Sequence, residues 1–284
     1  FRLTYADGGD ALPSPTNNLN QGLLTKFRNL PNDSPQKIVI VTILLCLVCS
    51  VMVSSAAVLL RPLQLGEEQL SKRIEILKVA GLYNEDESVN TLFNQIETRI
   101  IDLATGEYFT DIDADRYDYQ QAAMDPDTSI KIPDKKDVAK INRRAKLAPV
   151  YLVKEGDTAK SIILPIYGYG LWSTMHAFIS LKNDGKTVEA ISFYQHGETP
   201  GLGAEIANPQ WRQRWNNKKI FSDAGKIKLR VIHGAVDNNS ANAPHEIDGI
   251  SGATLTANGV TNMIRFWFGD NGFGPYLEKY WQGA

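Results

Sequence analysis

The chain has 284 residues, 43% hydrophobic and 22% charged, enough for one sizeable core with additional segments. Its formal net charge of −2 leaves no broad basic excess for nucleic acid, and no Lys/Arg run is long enough for a polybasic membrane patch. The two cysteines, Cys46 and Cys49, supply no disulfide framework, and the cysteine-free remainder suits an oxidising compartment.

Residues 1–37 are polar and rich in turn formers ("GGDALPSPTNNLNQG", "NLPNDSPQK"), so a disordered tail is expected. Residues 38–60, "IVIVTILLCLVCSVMVSSAAVLL", carry no charge. Such a run is long enough to cross about 30 Å of hydrocarbon as a helix. The "SSAA" within it resembles a signal-peptide cleavage site, but a signal peptide's apolar core spans only about 7–15 residues. An uncleaved single anchor is therefore the better reading. Lys26, Arg28 and Lys37 precede the span, and Arg61, Lys72 and Arg73 follow it beside Glu67 and Glu68, so flanking charge leaves the orientation open. Cys46 and Cys49 form C-x2-C on one helix face. One such helix offers too few ligands for zinc or an iron–sulfur cluster. Packing against neighbouring helices is the simpler role, and a half-site shared with a partner the alternative.

Residues 61–95 read as a helical stalk, with Leu70, Ile74, Leu77, Val79 and Ala80 near helical spacing and Gly81 as its stop. Short mixed patterns and acidic, Pro-containing loops fill residues 84–148. Strands dominate from about residue 149. "SIILPIYGYGLW" is apolar and breaks at Gly168 and Gly170, and "MHAFISL" and "TVEAISFYQ" flank an Asp184-Gly185 hairpin turn. "IKLRVIHGAV" reads as a further strand. After Ser251, residues Leu255, Val260, Met263, Ile264, Trp267 and Phe268 fall on one helical face. The expected fold is α+β: a single N-terminal transmembrane helix, then a mostly antiparallel sheet domain with packed helices.

"DGISGATLTANGV", residues 248–260, places Ser251, Gly252 and Ala253 before Thr254 and Thr256 at a helix start. A helix N-terminus offers free N–H groups and the positive end of its dipole to a phosphate. A threonine there can cap the helix or be esterified. Asp248 is not required by a cap and suits an orienting carboxylate for a modifying enzyme or a metal-assisting one. In "YGYGLWSTMHAFISL", Gly168 and Gly170 admit a flat ring close to the backbone, beside Leu171 and Trp172. In "HGETPGLGAEIANPQW", Thr199, Pro200 and Gly201 form a tight turn that exposes Leu202 before Gly203. Glu198 precedes that turn, and His196 is close enough to reach a ligand there. His176 falls in a strand as a partly buried, hydrogen-bonded residue. The histidines have no metal spacing, and no P-loop, H-E-x-x-H, G-x-S-x-G or G-x-G-x-x-G motif is present. Trp211, Trp215, Trp267 and Phe268 read as core.

"Asp-Gly-Ile-Ser-Gly-Ala-Thr" resembles the acceptor motif of proteins that carry FMN as a phosphoester of threonine. The two other segments resemble the landmark stretches of FMN-binding domains in bacterial respiratory complexes. With "LVCS", "LKVAGL" and "DLATGEY", the chain from Lys37 onward resembles the C subunit of the sodium-translocating NADH:quinone oxidoreductases. The shorter G subunit of Rnf complexes shares only the FMN domain. The resemblance implies a covalent FMN on Thr254, attached by a separate flavin transferase that uses FAD and Mg²⁺. It implies flavin contacts from Ser251, Gly252, Ala253, Asp248, Thr199, Leu202, Gly203, Gly170, Leu171, Trp172, Glu198 and His196, and no metal ligand. It further implies an electron-carrier role without a complete catalytic site, with electrons passing from NADH towards ubiquinone among other membrane subunits. The N-terminus would be cytoplasmic, residues 38–60 would span the inner membrane, and residues 96–284 would form a periplasmic FMN domain. A membrane-anchored module that binds an anionic ligand reversibly is the rival from another class.

Overall fold

The computed structural model describes residues 28–155 and 158–283, so residues 1–27 of the expected tail lie outside the described residues. The chain divides into a unit that ends at Gly66 and one that begins at Glu67. Helix α1 (Pro35–Val79) contributes to both. Ser34 starts it by accepting a hydrogen bond from the Lys37 backbone N–H at 3.2 Å, with Pro35 in the first turn, where its missing N–H costs nothing. One 18-residue window of α1 has mean hydropathy 2.8 and no buried residue, so the helix is long and apolar enough to cross a membrane. Cys46 and Cys49 are exposed along it.

The second unit takes up the end of α1. Ile76, Leu77, Val79 and Ala80 are buried with Leu92, Ile96, Val153, Ile163 and Phe178. Beyond Val79 the helix stops at Gly81, whose φ of +68° suits glycine, and the Leu82 N–H bonds the Leu77 carbonyl at 2.9 Å. Within residues 61–95, expected as a helical stalk, the long helix runs to Val79 with its last turns in the domain core, and only a second, short helix follows before residue 95. There follow α2 (Val89–Phe93), capped by Ser88, then β1 (Ile96–Asp102), β2 (Tyr108–Phe109) and α3 (Tyr119–Met124). β3 (Ser129–Lys131) and β4 (Arg143–Ala145) form a small antiparallel pair.

β5 (Leu147–Glu155), β6 (Thr158–Tyr169), β7 (Thr174–Lys182) and β8 (Val188–Gln195) complete the main sheet, in the order β2-β1-β5-β6-β7-β8, with every pairing antiparallel. The β7–β8 hairpin turns at Gly185 (φ +62°), where the Asp184 carboxylate accepts from the Lys186 and Thr187 N–H groups, each at 2.8 Å. Alternation along β6 sends Ile163 to the α1 side and Ile162, Leu164 and Ile166 to the other. That second face packs on α5 (Thr254–Trp267) through Val260, Met263, Ile264 and Trp267. Between β8 and α5 lie a short 3₁₀ turn (Gly203–Ala207), α4 (Pro209–Gln213), and the two-residue parallel strands β9 (Arg230–Val231) and β10 (Glu246–Ile247). Helix α6 (Gly274–Trp281) closes the chain's described part.

Two local expectations change. "IKLRVIHGAV" gives only β9, because its backbone bonds are dispersed: Lys228 and Leu229 to Ile220, Ile232 to Ile247, and Gly249 back to Gly234. Gly168 does not break β6, which runs through it to Tyr169. Its role is close packing, since a Cβ there would sit 3.0 Å from the Met263 Cβ. Trp211, Trp215, Trp267 and Phe268 are core, as expected. His176 is neutral in the fold: burial pushes its pKa down to about 4, Lys72 adds to the shift, and Gln120 Nε2 bonds its Nδ1 at 2.8 Å.

Candidate functional site

Three segments separated in sequence meet at one buried carboxylate. Glu198, on the segment after β8, is only 4% exposed. It accepts from the N–H groups of Leu171 (3.1 Å), Trp172 (3.0 Å) and Ser173 (3.4 Å) in the β6–β7 turn. It also accepts from the Thr256 hydroxyl, in the first turn of α5, at 2.5 Å. Burial alone would raise its pKa, but the bonds from Thr256, Trp172, Leu171 and Ser173 outweigh that and hold it below the ordinary value of 4.5. The carboxylate is therefore ionised at neutral pH and fully engaged.

Small residues make this junction possible. A Cβ at Gly170 would lie 2.6 Å from Glu198 Oε1, and one at Gly203 would lie 2.6 Å from Thr256 Oγ1. A Cβ at Gly259, inside α5, would lie 2.5 Å from the Tyr169 carbonyl oxygen. Helix, turn and loop thus approach each other closer than any side chain allows. A second tie comes from the Gly197 N–H, which bonds Ser173 Oγ at 2.6 Å.

The two threonines now separate. Thr256 is 1% exposed and its hydroxyl is committed to Glu198. Thr254 is exposed at the start of α5. No side chain caps that helix: the residue before it is Ala253, and neither Ser251 nor Thr254 serves its first turn. The cap alternative is therefore not the one the fold adopts. Thr254 lines a cavity of about 270 Å³ with Gly249, Ile250, Ser251, Gly252 and His233. Gly252 (φ +71°) lies under Leu202, whose Cδ2 is 2.9 Å from where a Cβ would be. Leu202 beside this opening is 44% exposed, and Leu171 and Trp172, whose backbone N–H groups bond Glu198, are exposed apolar residues at 37% and 65%.

Asp248 has a structural task. Its carboxylate accepts from the Val236 N–H at 2.6 Å and pairs with Arg214 at 2.5 Å, and its carbonyl accepts from Trp211 Nε1 at 2.9 Å. It fixes the strand-to-helix loop against α4. Thr199 is exposed, and its carbonyl closes the tight turn by accepting from Leu202 and Ala204, each at 3.1 Å. His196 is half-buried, with Nδ1 buried and unpartnered among the described residues. Among the described residues no cluster of His, Cys, Asp and Glu could hold a metal.

Sequence reasoning missed Thr256 as the partner of Glu198, Arg214 as the partner of Asp248, and the 231–234 wall of the cavity. Gly259 in a helix interior was the one available signal, since glycine there implies close packing.

An uncapped helix N-terminus beside an exposed hydroxyl, with glycines and apolar loop residues around it, defines a domain built to hold a phosphate-bearing flat ligand. Residues 170–269, which contain all of these parts, match the FMN-binding domain family. The chain belongs to the family of C subunits of the Na(+)-translocating NADH-quinone reductases. It is 46% identical over 258 residues to the C subunit of the Yersinia pestis Na(+)-translocating NADH-quinone reductase, covering 89% of this chain and 96% of that protein. It is 48% identical over 254 residues to the corresponding protein of Vibrio vulnificus (strain YJ016), covering 89% and 98%. Shewanella oneidensis NqrC has the same fold, with a TM-score of 0.70 and 31% identity over 77% of this chain and all (100%) of that one. The C-subunit structure from Parabacteroides distasonis gives 0.58 and 28% over 77% and 96%. The expected α+β sheet domain is the fold these structures share.

Proposed function

We propose that this protein is the electron-carrier subunit of a Na⁺-translocating NADH:ubiquinone reductase, and that it works through one FMN joined to Thr254 by a phosphoester. The observation that carries the attachment site is the contrast between the two hydroxyls. Thr254 is exposed at an uncapped helix N-terminus, and Thr256 is buried and bound to Glu198. The C-subunit likeness extends over 89% of the chain, which favours this reading over the Rnf-type alternative.

The residues fit the cofactor. The α5 N-terminus and the Ile250–Gly252 backbone suit the phosphate, which is favoured by the dipole and by N–H groups without a backbone partner among the described residues. A cavity of about 270 Å³ accommodates the phosphate end rather than the whole flavin. Leu202, Leu171 and Trp172 would offer apolar neighbours to the ring, and Thr199 and His196 polar ones. When bound, FMN supplies the redox chemistry, and the chain supplies position and surroundings. Glu198 holds the 171–173 backbone and the α5 start in one register, so the apolar edge stays fixed relative to Thr254.

Attachment needs a flavin transferase with FAD as donor and Mg²⁺. A bond forms between Thr254 Oγ and the flavin-side phosphorus while the bond from that phosphorus to the bridging oxygen breaks. AMP leaves with that oxygen, and the hydroxyl proton passes to a base on the transferase. Helix α1 anchors the domain in the inner membrane beside the other subunits, with the domain on the periplasmic side. There lost FMN is not readily replaced, which gives covalent attachment its value. Thr254→Ala tests the assignment: the variant should fold and carry no flavin through denaturing electrophoresis, and a fluorescent band at wild-type intensity would reject it.

A further inference from the structure

Glu198 ties three segments together, and it is also a charge. The carboxylate is buried, and every group it accepts from is neutral: the N–H groups of Leu171, Trp172 and Ser173 and the Thr256 hydroxyl. No Lys, Arg or His forms an ion pair with it among the described residues. Neutral dipoles keep a carboxylate ionised, but their fields decay faster with distance than the field of the charge they hold. Beyond its first neighbours the junction therefore presents a net negative charge.

That charge stands behind the loop residues whose apolar side chains are exposed. Leu171 and Trp172 bond it through their own N–H groups, at 3.1 and 3.0 Å. A Cβ at Gly203, next to Leu202, would be 2.9 Å from its Oε2. Thr256, which donates to it, lies two residues along α5 from Thr254. A flat ring resting on the Leu171, Trp172 and Leu202 side chains would stand about 10 Å or less from the carboxylate, one side chain and one contact away. The intervening layer is protein rather than water, so the charge is screened less than a surface charge.

We propose that Glu198 sets the reduction potential of the attached flavin: its fixed, unpaired charge opposes electron gain by the ring and holds the potential low. This deepens the reading of Thr254 as the attachment site and rests on it. On reduction the ring takes two electrons from the upstream donor of the complex and one proton from water, so it gains one negative charge. A like charge nearby disfavours that product and leaves the neutral oxidised ring untouched. Two unit charges about 10 Å apart, at an effective dielectric of about 20, shift an equilibrium about tenfold. For a two-electron couple that is about 30 mV. A lower potential favours passing electrons on over retaining them.

The test is a mediated redox titration of the full chain carrying its flavin, followed by flavin absorbance, for wild type, Glu198→Gln, Thr256→Val and the double variant. Glu198→Gln removes the charge and keeps the size. Thr256→Val loosens the same junction and keeps the charge. The double variant removes the charge without leaving a hydroxyl unpaired, so it carries the test where the single glutamine variant folds poorly. The potentials should sort by residue 198: both glutamine proteins about 30 mV above wild type, a tenfold change in the reduction equilibrium, and Thr256→Val much closer to it. Unchanged or lowered potentials in the glutamine proteins would overturn the role of the charge. An equal rise in Thr256→Val would overturn it too, because geometry and not charge would then set the potential. A wild-type chain that carries no attached flavin would overturn the Thr254 reading itself, whereas attached flavin whose potential ignores residue 198 would overturn this inference alone.

Discussion

Replacing Glu198 by glutamine probes the junction on which the site is built. Glutamine keeps the size but has one acceptor oxygen in place of two, and its NH₂ would face donors. With the amide oxygen kept on the Trp172 N–H, at 3.0 Å, the NH₂ would donate to the Thr256 hydroxyl, whose own proton, now given to Glu198 at 2.5 Å, would lose its acceptor. A buried donor left unpaired costs about 1–3 kcal/mol, and the lost charge assistance is of similar size. With partial relaxation the loss should be about 2 kcal/mol. For a unit of this size that lowers the midpoint of thermal unfolding by about 4–8 °C. Combining Glu198→Gln with Thr256→Val should cost less than the sum of the single changes, because they share one bond. Acid provides a second check. The folded pKa of Glu198 lies below the ordinary 4.5, so its contribution is fully present above that value and lost as pH falls through the folded one. The gap between wild type and variant should therefore shrink as pH falls below the ordinary value of 4.5. A midpoint within about 1 °C of wild type, or strictly additive single changes, would mean that the junction does not depend on this carboxylate.

Other expectations follow from the same geometry. Gly259→Ala should destabilise by about 1–3 kcal/mol in thermal melts, because its Cβ would meet the Tyr169 carbonyl at 2.5 Å and backbone cannot yield cheaply. His176, lowered to about 4 chiefly by burial, binds protons more readily in the unfolded chain. Its contribution is complete above about pH 6.5 and falls away towards pH 4, so His176→Gln should flatten stability over that window in denaturant titrations. Asp248→Asn loses the Arg214 ion pair and should lower stability by about 1 kcal/mol or less, since the pair is partly exposed, while reducing the rate of flavin attachment measured by in-gel fluorescence.

Local chemistry made some of this legible in sequence and left the rest hidden. The uncharged run at residues 38–60, the Gly81 stop, the Asp184-Gly185 hairpin and the helix after Ser251 each rest on short-range rules, and the structure places each there. The "IKLRVIHGAV" strand shrank because apolar alternation does not reveal where backbone partners lie. The Glu198–Thr256 bond joins residues 58 apart. Nothing in "ETPGLG" or "SGATLT" alone says which threonine faces inward. The choice of Thr254 came from resemblance, and burial now supplies a physical reason for it. Asp248, read as part of a modification signal, has partners that reading did not anticipate, Arg214 and Val236.

Everything proposed for this protein depends on one FMN esterified to Thr254, and intact-protein mass spectrometry of chain produced with its transferase decides that point. A single species is expected, heavier than the bare sequence by one FMN less one water. The added mass should lie on the peptide containing Thr254 and be absent from Thr254→Ala. An unmodified mass under those conditions, or the flavin on another residue, would rule the assignment out.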